Sequence, residues 1–165
     1  LLEAYNHIIK SNKISSKLII AGNRGYKYYD RKINKCITDL KLFKNVFLLG
    51  GVSRKKLKEL YLNAQFLVFP SPFENFPYTL VEAMSCGTPI VCSDTTAMPE
   101  TCKDAAIYFD PYNVNDIADK MDLILKNDIL RNEMSKKSIT RAKQLPTYFE
   151  VTLKTLNIMR AIKNV

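Results

Sequence analysis

The pattern that decides the fold lies in residues 66–92, which read FLVFPSPFENFPYTLVEAMSCGTPIVC. Phe66–Phe69 is a short apolar run that Pro70 ends, and it predicts a buried strand. A helix is predicted over Thr79–Ser85, closed by Gly87, and a second buried strand over Ile90–Cys92. Two apolar strands joined through one helix indicate a parallel strand–helix–strand unit.

The same alternation continues on both sides of this unit. Further strands are predicted at Lys17–Ala21, Val46–Leu49 and Ala106–Phe109, and helices at 1–11, 26–42, 54–63 with Ser53 as N-cap, 115–126, 128–143 and 147–163. Short apolar strands that alternate with helices predict an α/β fold with a Rossmann-like parallel sheet of five strands, flanked by helices. We expect residues 1–165 to form one domain.

Composition excludes several classes of protein. The chain has 165 residues, of which 47% are hydrophobic, so it can bury a full core and is not intrinsically disordered. No apolar run approaches the roughly 20 residues of a transmembrane helix. The four cysteines lack the spacing of zinc or redox motifs, and His7 is the one histidine. We therefore predict reduced, mostly buried thiols and no Cys/His metal site.

The net charge of +9 raises the question of a nucleic-acid or membrane partner. The charge is unevenly distributed: residues 1–64 carry 14 basic and 4 acidic side chains, whereas residues 65–115 carry one basic and six acidic side chains. The proline-rich segment is therefore the acidic one. This favours a solvated basic surface, leaves attraction to an anionic membrane open, and disfavours nucleic acid as a partner.

Two glutamates in the proline-rich segment point to sugar chemistry. Glu74 follows a strand and Glu82 lies one turn into the next helix, so both face the carboxyl end of the sheet, where ligands bind in such folds. A carboxylate can accept two charge-assisted hydrogen bonds from sugar hydroxyls. The N–H groups at the start of the helix can hold a diphosphate. The spacing alone is also compatible with a purely structural interpretation, in which Glu74 is a surface residue and Glu82 is a helix residue in a salt bridge.

The combined motif resembles the C-terminal, donor-binding half of glycosyltransferase family 4 (group 1), a family with the GT-B fold. The resemblance rests on Glu74-x7-Glu82, Ala83-Met84, Gly87-x-Pro89, Pro99-Glu100, Ala105-Ala106 and Asp110-Pro111, with the runs Leu18–Gly22 and Val46–Gly50 in the same order. It covers essentially the whole chain. It implies a retaining glycosyltransferase without a metal or another cofactor.

The resemblance also implies roles for individual residues. Glu74, the candidate catalytic residue, would bind hydroxyls of the transferred sugar, and the backbone of Asn75, Phe76, Pro77 and Tyr78 would line that sugar. Thr79 and Leu80 would offer N–H groups to the diphosphate, and Glu82 would bind the ribose. Gly22 would let the backbone approach the phosphates, and Gly51, Val52 and Ser53 would contact the base. Pro77 departs from the family's usual glycine and removes one N–H donor.

The partner implied by the resemblance is a UDP-, GDP- or ADP-sugar. A glycan or lipid-linked acceptor would be held by a second, N-terminal domain, since we expect this chain to be a fragment of a two-domain enzyme and inactive alone. The whole enzyme would act in cell-envelope polysaccharide synthesis in the cytoplasm, and the resemblance leaves open a peripheral association with the inner membrane face. Two alternatives are a sugar-nucleotide epimerase of GT-B architecture, for which His7 is poorly placed, and a basic nucleic-acid-binding module.

Overall fold

A computed structural model describes residues 1–12, 16–23 and 27–163 of the chain. The strands are β1 (Leu18–Ala21), β2 (Val46–Gly50), β3 (Leu67–Phe69), β4 (Ile90–Ser93) and β5 (Ala106–Phe109). The helices are α1 (Leu2–Asn12), α2 (Lys27–Asp39), α3 (Arg54–Asn63), α4 (Tyr78–Ser85), α5 (Met98–Cys102), α6 (Val114–Lys126), α7 (Asp128–Gln144) and α8 (Tyr148–Lys163), and a 3₁₀ turn spans Lys103–Ala105.

The strands form two parallel sheets. β1 pairs with β2 in a two-stranded sheet, and β3, β4 and β5 form a three-stranded sheet in that order. The predicted α/β class with parallel strands flanked by helices is confirmed. The prediction of one continuous sheet is wrong for the described residues, because no backbone ladder joins β1 to β3.

The three-stranded sheet separates two cores. Val91 packs on one face with side chains of α1, α2 and α6, whereas Ile90 and Cys92 pack on the other face with side chains of α3, α4 and α5. This alternation is why the strands read as continuous apolar runs rather than as alternating patterns. All four residues of β4 are buried.

Side-chain caps set several helix starts. The Ser53 hydroxyl accepts the Lys56 N–H at 3.2 Å, as predicted, and Asn113 and Asn127 cap α6 and α7 in the same way. Such caps satisfy backbone donors that have no partner within the helix. The sequence reading missed α5, which is only five residues long and too short for a helical period to show.

The last helix, α8, differs from the others in its surroundings. Every described side chain from Phe149 to Ile162 is exposed, including seven large hydrophobic ones. The helix predicted over 147–163 is present, but it does not contribute to either core. In the described part of the chain, no helix combines the length and apolar character needed to cross a membrane.

Candidate functional site

Within each sheet, the loops that follow the strands lie at one edge, because parallel strands end on the same side of a sheet. Gly22 and Gly51 lie in the loops after β1 and β2, and the two loops touch: the Gly22 N–H donates to the Gly50 carbonyl at 2.9 Å. A Cβ atom at Gly51 would overlap Oδ1 of Asn23. A larger residue at position 51 would therefore require the exposed Asn23 side chain to move. Gly51 and Ser53 are exposed, and Val52 is half-buried.

The proline-rich loop after β3 is fastened to the loop after β4. The Glu74 N–H donates to the Thr96 hydroxyl at 3.1 Å, and the Thr95 hydroxyl donates to the Pro72 carbonyl at 3.0 Å. Thr96 has a positive φ of 49°, unusual for a residue with a side chain. These contacts hold the backbone of Glu74 in place while its side chain stays half-buried at the edge of the sheet.

The loop leads directly into α4. Pro77 is buried at the N-cap position and offers no side-chain cap. The Tyr78 N–H donates to the Phe76 carbonyl at 3.0 Å, and the Leu80 N–H donates to the Pro77 carbonyl at 2.9 Å. A diphosphate at this helix start would therefore compete with the Pro77 carbonyl for the Leu80 N–H. Thr79, between these two donors, is half-buried.

Glu82 lies in the second turn of α4 and faces α3. Its side chain is exposed, and its Oε2 accepts the Tyr61 hydroxyl at 3.4 Å. Burial of the Tyr61 ring, together with the neighbouring Glu82 charge, raises the pKa of Tyr61 to about 12. Tyr61 thus stays a hydrogen-bond donor across the physiological range and orients the Glu82 carboxylate.

Aromatic side chains surround the proline-rich loop. Phe73, Phe76 and Tyr78 are 66%, 45% and 66% exposed, and the Phe76 and Tyr78 rings meet edge to face with their centroids 4.8 Å apart. The exposed faces of these rings lie beside Asn75, which is also exposed. The loop therefore offers apolar ring surface next to a carboxylate.

The structure places the predicted residues in two groups at the same edge. One group is the β3–α4 segment with Glu74 through Glu82, and the other is the pair of touching loops after β1 and β2. The carboxyl ends of β1 and β3 border one cleft, which Ala21, Pro70 and Thr79 line. Sequence reasoning missed Tyr61 and Thr96, which hold Glu82 and Glu74. The four-residue offset of Tyr61 from Leu57 places both residues on one face of α3, which is the signal that could have pointed to Tyr61.

Other candidates do not join these groups. His7 is exposed on α1. No cluster of three or more His, Cys, Asp or Glu side chains suited to a metal ion occurs within the described ranges.

A comparison with known protein families identifies the family of this chain. The profile of the family described as "Glycosyl transferases group 1" matches residues 1–141. The chain belongs to that family. The match includes both glutamates, the proline-rich loop and the touching glycine loops.

Relatives agree with this membership. The chain is similar to O-antigen chain mannosyltransferase B of Escherichia coli, with 31% identity over 98% of this chain and 42% of the relative. Among solved structures, it resembles S. aureus TarM in complex with fondaparinux, alpha-GlcNAc-glycerol and UDP, with a TM-score of 0.83, 26% identity, and coverage of 94% of this chain and 31% of that one.

The fold is also that of sucrose-phosphate synthase from Thermosynechococcus elongatus, with a TM-score of 0.85 and 22% identity over 99% of this chain and 42% of that one. The described helices and parallel strands therefore adopt the fold of GT-B glycosyltransferases. The chain spans less than half the length of each of these family relatives.

Proposed function

We propose that this chain is the donor-binding domain of a retaining glycosyltransferase. The enzyme transfers a sugar from a nucleotide sugar to an acceptor glycan or lipid during cell-envelope polysaccharide synthesis. The observation that carries the proposal is the arrangement of two carboxylates in a member of a sugar-transferring family: Glu74 on a fastened loop and Glu82 on the helix that this loop enters.

Glu74 is the group we assign to the transferred sugar. Its N–H is bonded to Thr96, so the backbone is fixed while both carboxylate oxygens remain able to accept sugar hydroxyls. Such bonds to an ionised acceptor contribute about 1.5–3 kcal/mol each. The exposed rings of Phe76 and Tyr78 offer a surface for the apolar face of the sugar. The loop backbone from Asn75 to Tyr78 would line the ring.

Glu82 is the group we assign to the ribose. One Glu82 oxygen accepts a hydrogen bond from the Tyr61 hydroxyl. This contact orients the carboxylate, and its other acceptor positions remain available to the ribose. A carboxylate suits the two adjacent hydroxyls of a ribose, because it can accept both at once. The touching loops, with Gly51, Val52 and Ser53, would contact the base mainly through backbone atoms.

The diphosphate would lie between these two groups, near Gly22 and the start of α4. We assign two backbone donors to the diphosphate, the N–H groups of Thr79 and Leu80. The Leu80 N–H would first have to give up its hydrogen bond to the Pro77 carbonyl. In a front-face displacement the acceptor hydroxyl attacks on the face from which the phosphate leaves. The enzyme then lowers the barrier by stabilising charge on the leaving phosphate. Two nearby glutamates would oppose that charge, so cationic groups must complete the site.

The names of the relatives indicate which nucleotide sugars to compare as donors. The Escherichia coli relative is named a mannosyltransferase, and TarM was solved with UDP. UDP-, GDP- and ADP-sugars are therefore the donors to compare, with GDP-mannose first. The acceptor would be held outside the elements described above, and association of the whole enzyme with the cytoplasmic membrane face belongs to the same proposal.

Saturation-transfer NMR with UDP-, GDP-, ADP- and CMP-sugars tests the proposal. We expect one nucleotide sugar to bind, and Glu82→Gln to weaken it by about 10- to 100-fold, the equivalent of one or two charge-assisted hydrogen bonds. Glu133→Gln is the matched control, because Glu133 is an exposed helical glutamate on α7. It should leave binding unchanged.

The same panel is then run on the full-length gene product. If that protein binds no nucleotide sugar at millimolar concentration, or if both variants weaken binding equally, the proposed donor site is wrong. A salt titration with an oligonucleotide addresses the basic surface separately, and we expect no saturable binding.

A further inference from the structure

Thr96, in the loop between β4 and α5, has an unusual backbone conformation for its residue type. Its φ is 49°, in the left-handed region, where a β-branched side chain is sterically disfavoured. The side chain is exposed, so packing in a core does not account for this conformation. Strained residues of this kind persist where the surrounding contacts determine their backbone, and they are frequent at functional sites. The contacts of the Thr96 hydroxyl provide such a reason.

The Thr96 hydroxyl links the proline-rich loop to a core. Its oxygen accepts the Glu74 N–H at 3.1 Å, and its hydrogen is donated to the Met98 sulfur at 3.8 Å. Met98 is fully buried in the core that also holds side chains of α3, α4 and β4. A hydroxyl that donates and accepts at once has a fixed orientation. The backbone of Glu74 is therefore held against a well-packed part of the fold.

The loop that carries Thr96 is itself anchored to the three-stranded sheet. The Asp94 N–H donates to the Phe109 carbonyl of β5 at 2.9 Å. The next residue, Thr95, donates its hydroxyl to the Pro72 carbonyl at 3.0 Å. Two consecutive threonines thus fasten the proline-rich loop, and Thr96 is the one that bonds to the residue whose carboxylate we assign to the sugar.

The bond between Thr96 and Glu74 is poorly suited to a role in stability alone. It lies at the surface, where water can replace either partner, so its net contribution to folding is small. The left-handed backbone opposes folding, because glycine would adopt it without steric strain. A strained residue that returns little stability is expected where the position serves a binding site.

The nucleotide part of the proposed ligand has a different support. Glu82 and the first N–H groups of α4 belong to a helix that is anchored by fully buried side chains such as Leu80 and Ala83. The Thr96 hydroxyl bonds instead to the loop before this helix, at Glu74. Loss of the hydroxyl should therefore displace the carboxylate assigned to the sugar and leave the support of the nucleotide in place.

We propose that Thr96 is a positioning residue that sets the preference of the site for a nucleotide sugar over the free nucleoside diphosphate. It acts through Glu74, because a displacement of about 1 Å is enough to spoil the geometry of a bound ligand. This inference rests on the proposed donor function. It adds a residue from the loop after β4 to a site otherwise built from the loops after β1, β2 and β3 and from α4.

Titration calorimetry on the full-length gene product tests this inference. GDP-mannose and GDP are the first pair of ligands, followed by UDP- and ADP-sugars with UDP and ADP. We expect Thr96→Gly to weaken binding of the nucleotide sugar about 10-fold and to change the affinity for the diphosphate by less than about twofold. Thr96→Ser keeps the hydroxyl and should retain the wild-type affinity for both ligands.

Thermal unfolding supplies a readout that separates positioning from a structural role. Relief of strain and loss of one surface bond have opposite signs, so Thr96→Gly should change the melting temperature by less than about 2 °C. Lys41→Gly is the matched control, because Lys41 is exposed and also has a positive φ, of 57°. It lies between α2 and β2, at the amino end of that strand, and should leave both affinities unchanged.

Glu74→Gln distinguishes a failure of this inference from a failure of the donor proposal. If Glu74→Gln weakens binding of the nucleotide sugar and Thr96→Gly does not, the donor site stands and Thr96 has no positioning role. Equal weakening of sugar and diphosphate by Thr96→Gly, or weak sugar binding by Thr96→Ser, would overturn the inference as well. If the wild-type protein binds no nucleotide sugar, or if Glu74→Gln binds it normally, the donor proposal is wrong and the role of Thr96 falls with it.

Discussion

The three-stranded and two-stranded sheets are built from similar sequences but have very different surroundings. Both are parallel and rich in aliphatic residues. In the three-stranded sheet, Ile90, Val91 and Cys92 are completely buried. In the two-stranded sheet, Ile19, Phe47 and Leu49 are 48%, 38% and 42% exposed.

The difference teaches that neighbours decide whether an apolar strand stabilises the fold. Helices cover β4 on both faces, and strands flank it on both edges. The two-stranded sheet is covered by α1 and α2 on the face that holds Leu18 and Val46, while its other face is open. Only area removed from water contributes, at about 25 cal/mol per Å². The same residue type should therefore have unequal effects in the two sheets.

A matched pair of isoleucines gives the largest expected effect. Ile90→Ala removes a fully buried side chain from β4 and should lower the free energy of unfolding by about 2–5 kcal/mol. Ile19→Ala, in the middle of β1, should lower it by less than about 1 kcal/mol, because that side chain is half in water. Urea unfolding measures both. Equal losses of unfolding free energy in the two variants would show that the two sheets are equally well packed, which would contradict the difference described above.

A pair of glycines with positive φ gives the next effect. Gly87 (φ 74°) closes α4, and an added Cβ would lie 3.1 Å from the Ile139 side chain of α7. Gly50 (φ 67°) ends β2, and an added Cβ would meet nothing within 4 Å. Both alanine variants carry the strain of the left-handed region, about 1–2 kcal/mol.

Gly87→Ala should therefore be the more destabilised variant, by about 1 kcal/mol beyond Gly50→Ala, since the Ile139 side chain must also shift. Thermal unfolding of the two variants side by side checks this difference. If Gly50→Ala is the less stable protein, the open side of the molecule is more tightly packed than the structure shows.

The contact between α3 and α4 gives an effect that depends on pH and is absent below about pH 10. Tyr61 has a pKa of about 12 in the folded protein, against about 10 for a free tyrosine. Between these values the unfolded chain loses a proton that the folded protein keeps, so stability falls as the pH rises through this window. Tyr61→Phe should show a shallower fall in urea unfolding between pH 10 and pH 12.

Tyr112→Phe, at a position that is 79% exposed, is the control and should keep the wild-type slope. Identical slopes for all three proteins would mean that Tyr61 is not held by burial and Glu82, and that α3 and α4 are less closely coupled.

Most helices and strands could be predicted from local patterns. The apolar runs of β1 to β5 and the caps Ser53 and Gly87 are properties of a few consecutive residues, and the elements lie where these patterns place them. α5 could not be found this way, because five residues are too few to show a helical period. The contacts of Glu74 with Thr96 and of Glu82 with Tyr61 join residues about twenty positions apart, so no local pattern encodes them.

The sequence by itself determined the parallel α/β class, the family, and the pair of glutamates in the proline-rich loop and the helix that follows it. Periodicity, helix caps and motif spacing are local, and one sequence displays them directly. Only the tertiary structure decided that the strands divide between two sheets, that an apolar cleft lies between β1 and β3, and that Tyr61 and Thr96 hold the two glutamates. These features depend on which distant segments come into contact, and strands of equal apolarity differ only in the neighbours that the fold brings to them.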